Sequence, residues 1–329
     1  MKRRTLGKTG IDVSEIGFGA WGIGDAWGDL VPEPEAKAAL HAALDAGMNF
    51  IDTADVYGAG RSETLIGQVL SERPADPRIY VATKMGRGPG WKDSYHAVKE
   101  AAQRACERLG VDSLDLVQLH CVPTETLKAG YAFEQLEGIK EEGLIKHWGV
   151  SVETIEEGLF CIKQPGCASL QVIFNLFRQR VVADLLGAAR QADVGILARV
   201  PLASGLLTGK FTAATTFPPD DHRHFNANGE QFNVGETFAG VPFEKGVHFA
   251  QALAEIMAPD SPNATLAQKS LRWILDHDAV TTVIPGAKSP DQARQNAAAA
   301  DLPRLATDTH EHLQTYYRTN IDRAVRGAY

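Results

Sequence analysis

Short apolar runs alternate with longer amphipathic stretches along most of this chain. Eight runs have the character of buried strands: EIGFGA (15–20), MNFID (48–52), IYVATK (79–84), LDLVQLH (114–120), IKHWGVS (145–151), LQVIFN (170–175), VGILARV (194–200) and VTTVIPG (280–286). The stretches between them repeat apolar positions at helical spacing. Segment 34–47 opens on Pro34 and closes on Gly47, and segment 94–110 opens on Ser94 and closes on Gly110. Those are the residues helices prefer at their two ends. Segments 132–143, 182–193, 266–277 and 289–300 read the same way. Strands alternating with helices predict a parallel sheet covered by helices. Eight such units predict an α/β fold of the (β/α)8 TIM-barrel type, whose usual length of ~250 residues accommodates insertions. Here the additions are an N-terminal hairpin, a long polar connection after the seventh strand (203–246) and an extra C-terminal helix within 307–326. Loops as long as 203–246 are uncommon and usually functional. Residues 1–329 are expected to form one domain.

Composition narrows the function classes. The formal net charge is −8 with a sequence pI near 5.7, and no Lys/Arg-dense run appears, so no nucleic-acid partner is expected. No apolar run approaches the ~20 residues needed to span a bilayer, so no membrane partner is expected. The opening MKRRTLGKTG is basic but lacks a following apolar stretch, which argues against a secretory signal. Cys106, Cys121, Cys161 and Cys167 have no CxxC spacing. They are expected to be reduced, half-buried thiols without function, in a cytoplasmic protein.

One motif invites a different fold. GFGAWG (17–22) is a GxGxxG after a strand, and Asp52 ends the next strand, as in a dinucleotide-binding Rossmann unit. In that motif the helix begins at the glycines. Here Pro32 and Pro34 delay it, and the chain holds 31 glycines. The segment is expected to form a loop over the barrel mouth, with Trp21 and Trp27 as apolar walls. A third tryptophan, Trp91, follows the third strand and is a further candidate wall. DDHRHF (220–225) could mimic a metal site, but with no Cys or further His nearby in sequence it is expected to be a solvated loop; no metal is predicted.

The stretch FIDTADVYG (50–58) runs from a buried strand straight into two carboxylates and a phenol. In a barrel, catalytic groups sit where strands end, at the C-terminal face. The second strand ends in Asp52 with Tyr57 just beyond, the third in Lys84 and the fourth in His120. Three consecutive strands thus deliver titratable groups to one edge. A free phenol has a pKa of ~10. A lysine ammonium ~4 Å away at an effective dielectric of ~20 favours the phenolate by about 4 kcal/mol. That predicts a Tyr57 acidified by roughly three pKa units, less whatever Asp52 cancels by pairing with the same lysine. Such a tyrosine can protonate a developing alkoxide, with neutral His120 as a hydrogen-bond donor orienting the carbonyl oxygen. The set supplies no hydride, so a cofactor must.

FIDTADVYGAGRSE, VATK, LVQLH, WGVS, PLASGLLTGK and IPGAKSPDQARQN resemble, in order and over nearly the whole chain, the motifs of the aldo-keto reductases. The loop TTFPPDDHRHFNANGEQF is most similar to bacterial members related to inositol-operon reductases. The resemblance implies reduction of a small-molecule carbonyl substrate with NADP(H) on a (β/α)8 barrel, with neither a Rossmann fold nor a metal. It implies that Asp52, Tyr57, Lys84 and His120 are the catalytic tetrad and that Tyr57 donates the proton. It assigns Ala20, Trp21 and Asp52 to the cofactor's surroundings, Ser151 and Gln171 to the nicotinamide carboxamide, and Pro201, Leu202, Ser204 and Lys210 to the segment under the pyrophosphate. Arg223 would clamp the pyrophosphate from above. Gly286, Lys288, Gln292, Gln295 and Asn296 match the adenine end, where a helix N-terminus and a lysine suit a phosphate in their own right. Trp21, Trp27, Tyr57, Trp91 and His120 would surround the substrate.

Two positions depart from the family pattern. Val152 stands where Asn is common, which removes a carboxamide contact. Arg199 stands where an aromatic residue usually stacks on the nicotinamide. Either its guanidinium plane replaces that ring or it pairs with a carboxylate at the strand ends. Two other functions stay open: an NAD(P)+-dependent sugar or alcohol dehydrogenase, and a cofactor-sensing subunit resembling the potassium-channel beta subunits. In the latter the histidine position is replaced, whereas His120 is present here. The oligomeric state is not readable.

Overall fold

The computed structural model describes residues 1–24, 30–75, 77–87 and 94–329. Strands β1 (Arg3–Thr5) and β2 (Asp12–Ser14) form the antiparallel N-terminal hairpin. Eight parallel strands follow: β3 (Phe18–Gly19), β4 (Phe50–Asp52), β5 (Tyr80–Met85), β6 (Leu114–His120), β7 (Ile145–Ser151), β8 (Cys167–Ile173), β9 (Gly195–Arg199) and β10 (Val280–Val283). Each pairs with its sequence neighbour from β3 to β10. The two ends of the sheet also meet. The Gly17 N–H donates to the Val283 carbonyl at 2.8 Å, and parallel bridges join Ile16 to Val283 and Gly19 to Gly286. The sheet is therefore a closed (β/α)8 barrel.

Side chains alternate across a strand, so every second residue faces the barrel interior. Phe50, Ala82, Leu116, Leu197 and Ile284 fill that interior together with Leu6, Ile11 and Val13 from the hairpin. The hairpin thus plugs the N-terminal end. Gly7 makes the plug fit: its φ is +47°, and a Cβ there would lie 2.6 Å from the Gly195 nitrogen. Any side chain at this position would force the hairpin off the barrel floor. The outward residues, among them Ile51, Val117, Leu119, Val150 and Ile196, pack under the helices in a second cluster.

The helices follow their end signals. Ser94 caps Tyr95–Leu109, which stops at Gly110 in the left-handed region. Residues Glu33–Asp45, Tyr131–Glu141, Leu266–Leu275 and Pro290–Ala298 are helical close to the expected spans. Segment 182–193 divides instead at Leu185 into Arg180–Asp184 and Leu186–Gln191, where the Leu185 side chain turns in against Gly158. The tail helix stops at Tyr316 and gives way to the wide turn Tyr317–Ile321. Arg61–Ser71, Ile155–Cys161 and Phe243–Ile256 are helices outside the predicted set. Ile155–Cys161 carries a capping box, Thr154 with Glu157, whose spacing is a sequence signal. Phe243–Ile256 begins within the 203–246 connection, so the irregular part of that loop ends at Pro242. Among the described residues no helix is long and apolar enough to cross a membrane.

Candidate active site

One pleat above the apolar filling, the interior residues change character. Asp52 comes two residues after Phe50, Lys84 two after Ala82, Gln118 and His120 two and four after Leu116, and Arg199 two after Leu197. The period of two therefore delivers all of them to the inside of the C-terminal mouth. There the buried Lys84 ammonium donates to Asp52 Oδ2 at 2.6 Å, to the Thr53 carbonyl at 2.8 Å and to Tyr57 Oη at 3.3 Å. Asp52 Oδ1 accepts from Gln171 Nε2 at 2.7 Å and from Gln118 Nε2 at 3.3 Å. Both charges are thus satisfied in a buried setting, where an unpaired charge costs several kcal/mol.

Burial works against the Lys84 ammonium, but Asp52 and Tyr57 outweigh it and hold the lysine above its ordinary pKa. Tyr57 moves the opposite way from the sequence expectation. Burial raises its pKa most, the Lys84 charge opposes this, and Asp52 cancels part of the lysine's effect, leaving the phenol above its ordinary value. Tyr57 is therefore protonated throughout the neutral range, the state a proton donor needs.

His120 is buried beside three cations. Burial first, then Lys84, Arg87 and Arg199, push its pKa well below the ordinary value, so the ring is neutral. Arg87 Nη1 lies 3.3 Å from His120 Nε2. The ring's other nitrogen, Nδ1, is a buried atom with no hydrogen-bond partner. Arg87 also forms a two-pronged pair with Glu236, at 3.0 and 3.2 Å. Glu236 reaches Arg199 Nη1 at 3.4 Å, and Arg199 Nη2 donates to the Val152 carbonyl at 3.3 Å. Burial alone would raise the Glu236 pKa, but Arg199 and Arg87 hold it below the usual carboxylate range.

A cleft of about 630 Å³ opens above these groups, within the range of small-molecule sites. Trp21, Val56 and Phe232 line its tetrad end, and Gly286, Lys288, Gln292, Gln295 and Asn296 its far end. Ser289 caps helix Pro290–Ala298 there, its hydroxyl accepting from the Gln292 N–H. Between the two ends runs the segment after β9. Val200, Ala203 and Ser204 have φ of +53°, +48° and +54°. For a β-branched residue such as Val200 this is a genuine outlier, and backbone of this kind clusters at ligand sites. The Asn175 amide on the Val200 carbonyl at 2.8 Å helps hold it.

The model of the aldo/keto reductase family matches residues 15–318. This chain belongs to the aldo/keto reductase family. It is 31% identical to "Uncharacterized oxidoreductase YqkF" of Bacillus subtilis (strain 168), over 99% of this chain and 100% of that protein. It is 30% identical to "Probable voltage-gated potassium channel subunit beta" of Oryza sativa subsp. japonica, over 93% of each. Among solved structures it is similar to the aldo-keto reductase AKR11C1 from Bacillus halodurans in its holo form, with a TM-score of 0.76, 26% identity and coverage of 100% and 98%. The aldo/keto reductase from Klebsiella pneumoniae in complex with NADP and acetate superposes with a TM-score of 0.71, 25% identity and 96% coverage of both chains. Family members in these structures share the barrel, and the chain is an oxidoreductase of this family.

Within this aldo/keto reductase barrel, the four tetrad residues lie together as described. Of the positions matched to the family's cofactor site, Trp21, Asp52, Gln171, Arg199, Pro201, Leu202, Ser204, Lys210, Arg223, Gly286, Lys288, Gln292, Gln295 and Asn296 line the one cleft. Ala20 and Ser151 do not line it. Ala20 is fully buried with its N–H on the Asp52 carbonyl, and Ser151 is buried with its hydroxyl 3.5 Å from Cys121 Sγ. Trp27 and Trp91 lie outside the described residues. Arg199 pairs with Glu236, a residue of the long loop, not with a carboxylate at the strand ends. DDHRHF is not a solvated loop: Asp221 and His222 are buried, and Asp221 caps helix His222–Phe225 and chelates Arg223. In the GFGAWG segment a single helical turn, Trp21–Gly24, follows β3, and Asp52 is bound to Lys84. Cys106, Cys161 and Cys167 are buried where half-burial was expected, Cys121 is partly buried, and all four cysteines are free.

Sequence reasoning missed Gln118, Arg87 and Glu236. The alternation in LDLVQLH carries the signal for Gln118, which shares a face with Leu116 and His120. Arg87 lies two residues past the end of β5, at the catalytic edge, which is a weak signal. Glu236 has no local signal.

Asp55 gives a pH-dependent prediction. Its Oδ1 has no hydrogen-bond partner. Burial and the nearby Glu63 carboxylate lift its pKa from 3.8 to about 6. Between about pH 4 and 6 the folded chain holds a proton that the unfolded chain has lost, so this group makes stability fall as pH rises through that window. Asp55→Asn is expected to be more stable than the wild type at pH 7, by up to about 3 kcal/mol. Urea unfolding at several pH values across the window measures it. Identical pH slopes for the two proteins would refute the assignment.

Proposed function

We propose that this chain is a single-domain reductase of aldehydes or ketones that uses NADPH, with Tyr57 as the proton donor. The observation that carries the reading is the buried Lys84, hydrogen-bonded at once to Asp52 and to the Tyr57 hydroxyl at the end of a cleft. The cleft fits the cofactor in three respects. It has a lysine beside a helix N-terminus at its far end, where a phosphate is favoured. Its middle runs along backbone held at positive φ, including Gly205, where a Cβ would lie 2.9 Å from the Phe211 ring. Its near end reaches Gln171 and Arg199, beside the tetrad.

When bound there, the cofactor supplies a hydride to the carbonyl carbon. The chain's own residues do the rest. Trp21, Val56 and Phe232 wall the substrate, and Tyr57 gives its hydroxyl proton to the oxygen as the carbonyl pair moves onto it. Lys84 stabilises the phenolate left behind, and Asp52 with its two glutamine donors keeps Lys84 fixed. The same groups operate in reverse, so an alcohol dehydrogenase uses the identical site. The intact set, His120 included, favours an enzyme over a cofactor-sensing subunit. Screening NADPH oxidation against aldehydes, ketones, pyridoxal and sugars tests the reading. Tight NADPH binding with no turnover of any of them favours the subunit.

Lys288 is proposed to meet the 2′-phosphate, which gives a preference for NADPH over NADH. Lys288→Ala is expected to weaken NADPH by about 1.5–3 kcal/mol, roughly one to two decades in affinity, and to leave NADH nearly unchanged. Fluorescence quenching measures both. Equal wild-type affinities for the two cofactors would sink the proposal.

A further inference from the structure

We propose that the tetrad end of the cleft selects carbonyl substrates that carry a carboxylate, and that the Arg87 guanidinium receives that carboxylate. The inference rests on the reductase reading of the cleft and names the substrate class of the same site. Tyr57 and His120 keep the carbonyl oxygen.

A guanidinium carries five N–H groups. Glu236 takes one from each terminal nitrogen of Arg87, at 3.0 and 3.2 Å, and a ring nitrogen of His120 lies 3.3 Å from Nη1. The Nε–H and the second Nη2–H have no hydrogen-bond partner among the described residues. These two share the lateral edge of the plane and match the two oxygens of a carboxylate. The Arg87 side chain is 24% exposed against 5% for Glu236, and it lines the cleft. A ligand there meets the arginine first, with the glutamate behind it. Glu236 holds the end of the guanidinium, and Phe232 lies under its plane at 5.3 Å. A clamped planar donor loses little freedom when it binds.

The network linked to Arg87 is short of negative charge. Arg199 shares Glu236 with it, at 3.4 Å. Glu153 and Arg178 both lie close enough to act on Arg199. Buried Arg178 finds only the carbonyls of Ala239, Arg326 and Ala328 and the Tyr329 ring. Cys121 is held as the neutral thiol by burial. Arg87, Arg199 and Arg178 set against Glu236 and Glu153 leave one positive charge over. One carboxylate balances it, whereas a phosphate dianion would overfill it. The spacing is also set. The His120 ring lies 5.9 Å from the Tyr57 ring, centre to centre, and borders Arg87 on its other side. A substrate with its carbonyl at Tyr57 therefore reaches Arg87 across a spacer about the length of a single aromatic ring. Trp21, Val56 and Phe232 give that spacer apolar walls.

Steady-state reduction of 4-carboxybenzaldehyde and 4-nitrobenzaldehyde with NADPH tests the proposal. The two probes share a ring and a planar para group with two oxygens, and only the first is charged. The measured quantity is kcat/KM for the charged probe divided by kcat/KM for the neutral one. Comparing this ratio between wild type and variant cancels the intrinsic reactivity of each aldehyde. Arg87→Met is expected to lower the ratio by about 10- to 10²-fold, the worth of a hydrogen bond to a charged group. The loss should fall chiefly on KM for the charged probe, with NADPH affinity little changed. An arginine that only braces the long loop would slow both probes alike, and such an unchanged ratio overturns the proposal. Should Arg87→Met fail to fold, Arg87→Gln keeps an amide donor for Glu236 and removes the charge. A fall of the ratio in that variant supports the proposal, and constancy overturns it. If the wild type turns over neither probe, the reductase reading and this proposal fall together. Wild-type turnover of the neutral probe, with the charged one untouched or with a ratio that the variants do not change, overturns this proposal alone.

Discussion

Tyr57→Phe is expected to remove nearly all reductase activity while leaving the fold and the NADPH affinity almost as they were. The substitution deletes one oxygen. The ring keeps its contacts with Trp21, 6.2 Å away centre to centre, and with His120. Lys84 keeps its bonds to Asp52 and the Thr53 carbonyl. Melting temperature should therefore change little. The chemistry is expected to change completely, because the proposed mechanism takes its proton from this phenol at the end of the Lys84 chain. Losing a general acid typically costs 10²–10⁴-fold, so kcat should fall by about 10³-fold. Stopped-flow NADPH oxidation gives the rate and fluorescence titration the affinity. A variant that keeps more than about a tenth of the wild-type rate, a loss well short of that range, would place the acid elsewhere.

Lys84→Met is expected to damage both activity and stability. Methionine fills a similar volume but leaves Asp52 buried with two amide donors and no cation. Breaking one side of a buried ion pair costs about 3–5 kcal/mol. At about 2–4 °C per kcal/mol for a large domain, the melting temperature should fall by roughly 10 °C. Activity should fall with it, since nothing then stabilises the Tyr57 phenolate. Lys84→Met combined with Asp52→Asn removes the orphaned charge as well. It should regain much of the melting temperature and none of the activity, which separates the two roles of the lysine. The pH sign is distinct too. The folded-state pKa of Lys84 is raised, so its contribution is fully present below about pH 10.4 and fades as pH rises through the folded value. Alkaline denaturation of the wild type should carry this loss, and the single variant should not. If the double variant melts no higher than the single one, the Asp52 charge is not what destabilises it.

Tertiary context reversed one expectation in a way that residue types could not reveal. The lysine beside Tyr57 was expected to acidify it, and the lysine is there at 3.3 Å. Yet the sign of the net effect depends on how deep the phenol sits and on Asp52 at 2.6 Å from the same ammonium. A pairwise estimate from sequence has no burial and no competing partner. Glu236 shows the same limit in another form. It lies 149 residues from Arg87, inside an irregular loop whose course no local pattern encodes. The C-terminal tail adds to that course. Arg326 donates to the carbonyls of Gly240 and Ala227, and buried Arg178 to those of Ala239, Arg326 and Ala328. These contacts strap the loop that carries Glu236.

What the sequence determined by itself was the barrel and the edge at which its chemistry lies. Apolar runs separated by capped helical segments are local features, and eight of them in order admit few topologies. A period of two then assigns Asp52, Lys84 and His120 to one face of their strands, and the direction of a parallel barrel assigns them to one end. Only the tertiary structure decided what those groups are worth. It kept His120 neutral among three cations, gave Arg199 a carboxylate from the long loop, removed Ser151 and Ala20 from the cleft wall, and kept the Tyr57 proton in place. Strand and helix signals act over a few residues, through backbone geometry. Electrostatics and hydrogen-bond direction act through space, between residues that only the closed barrel and its long loop bring within a few ångströms.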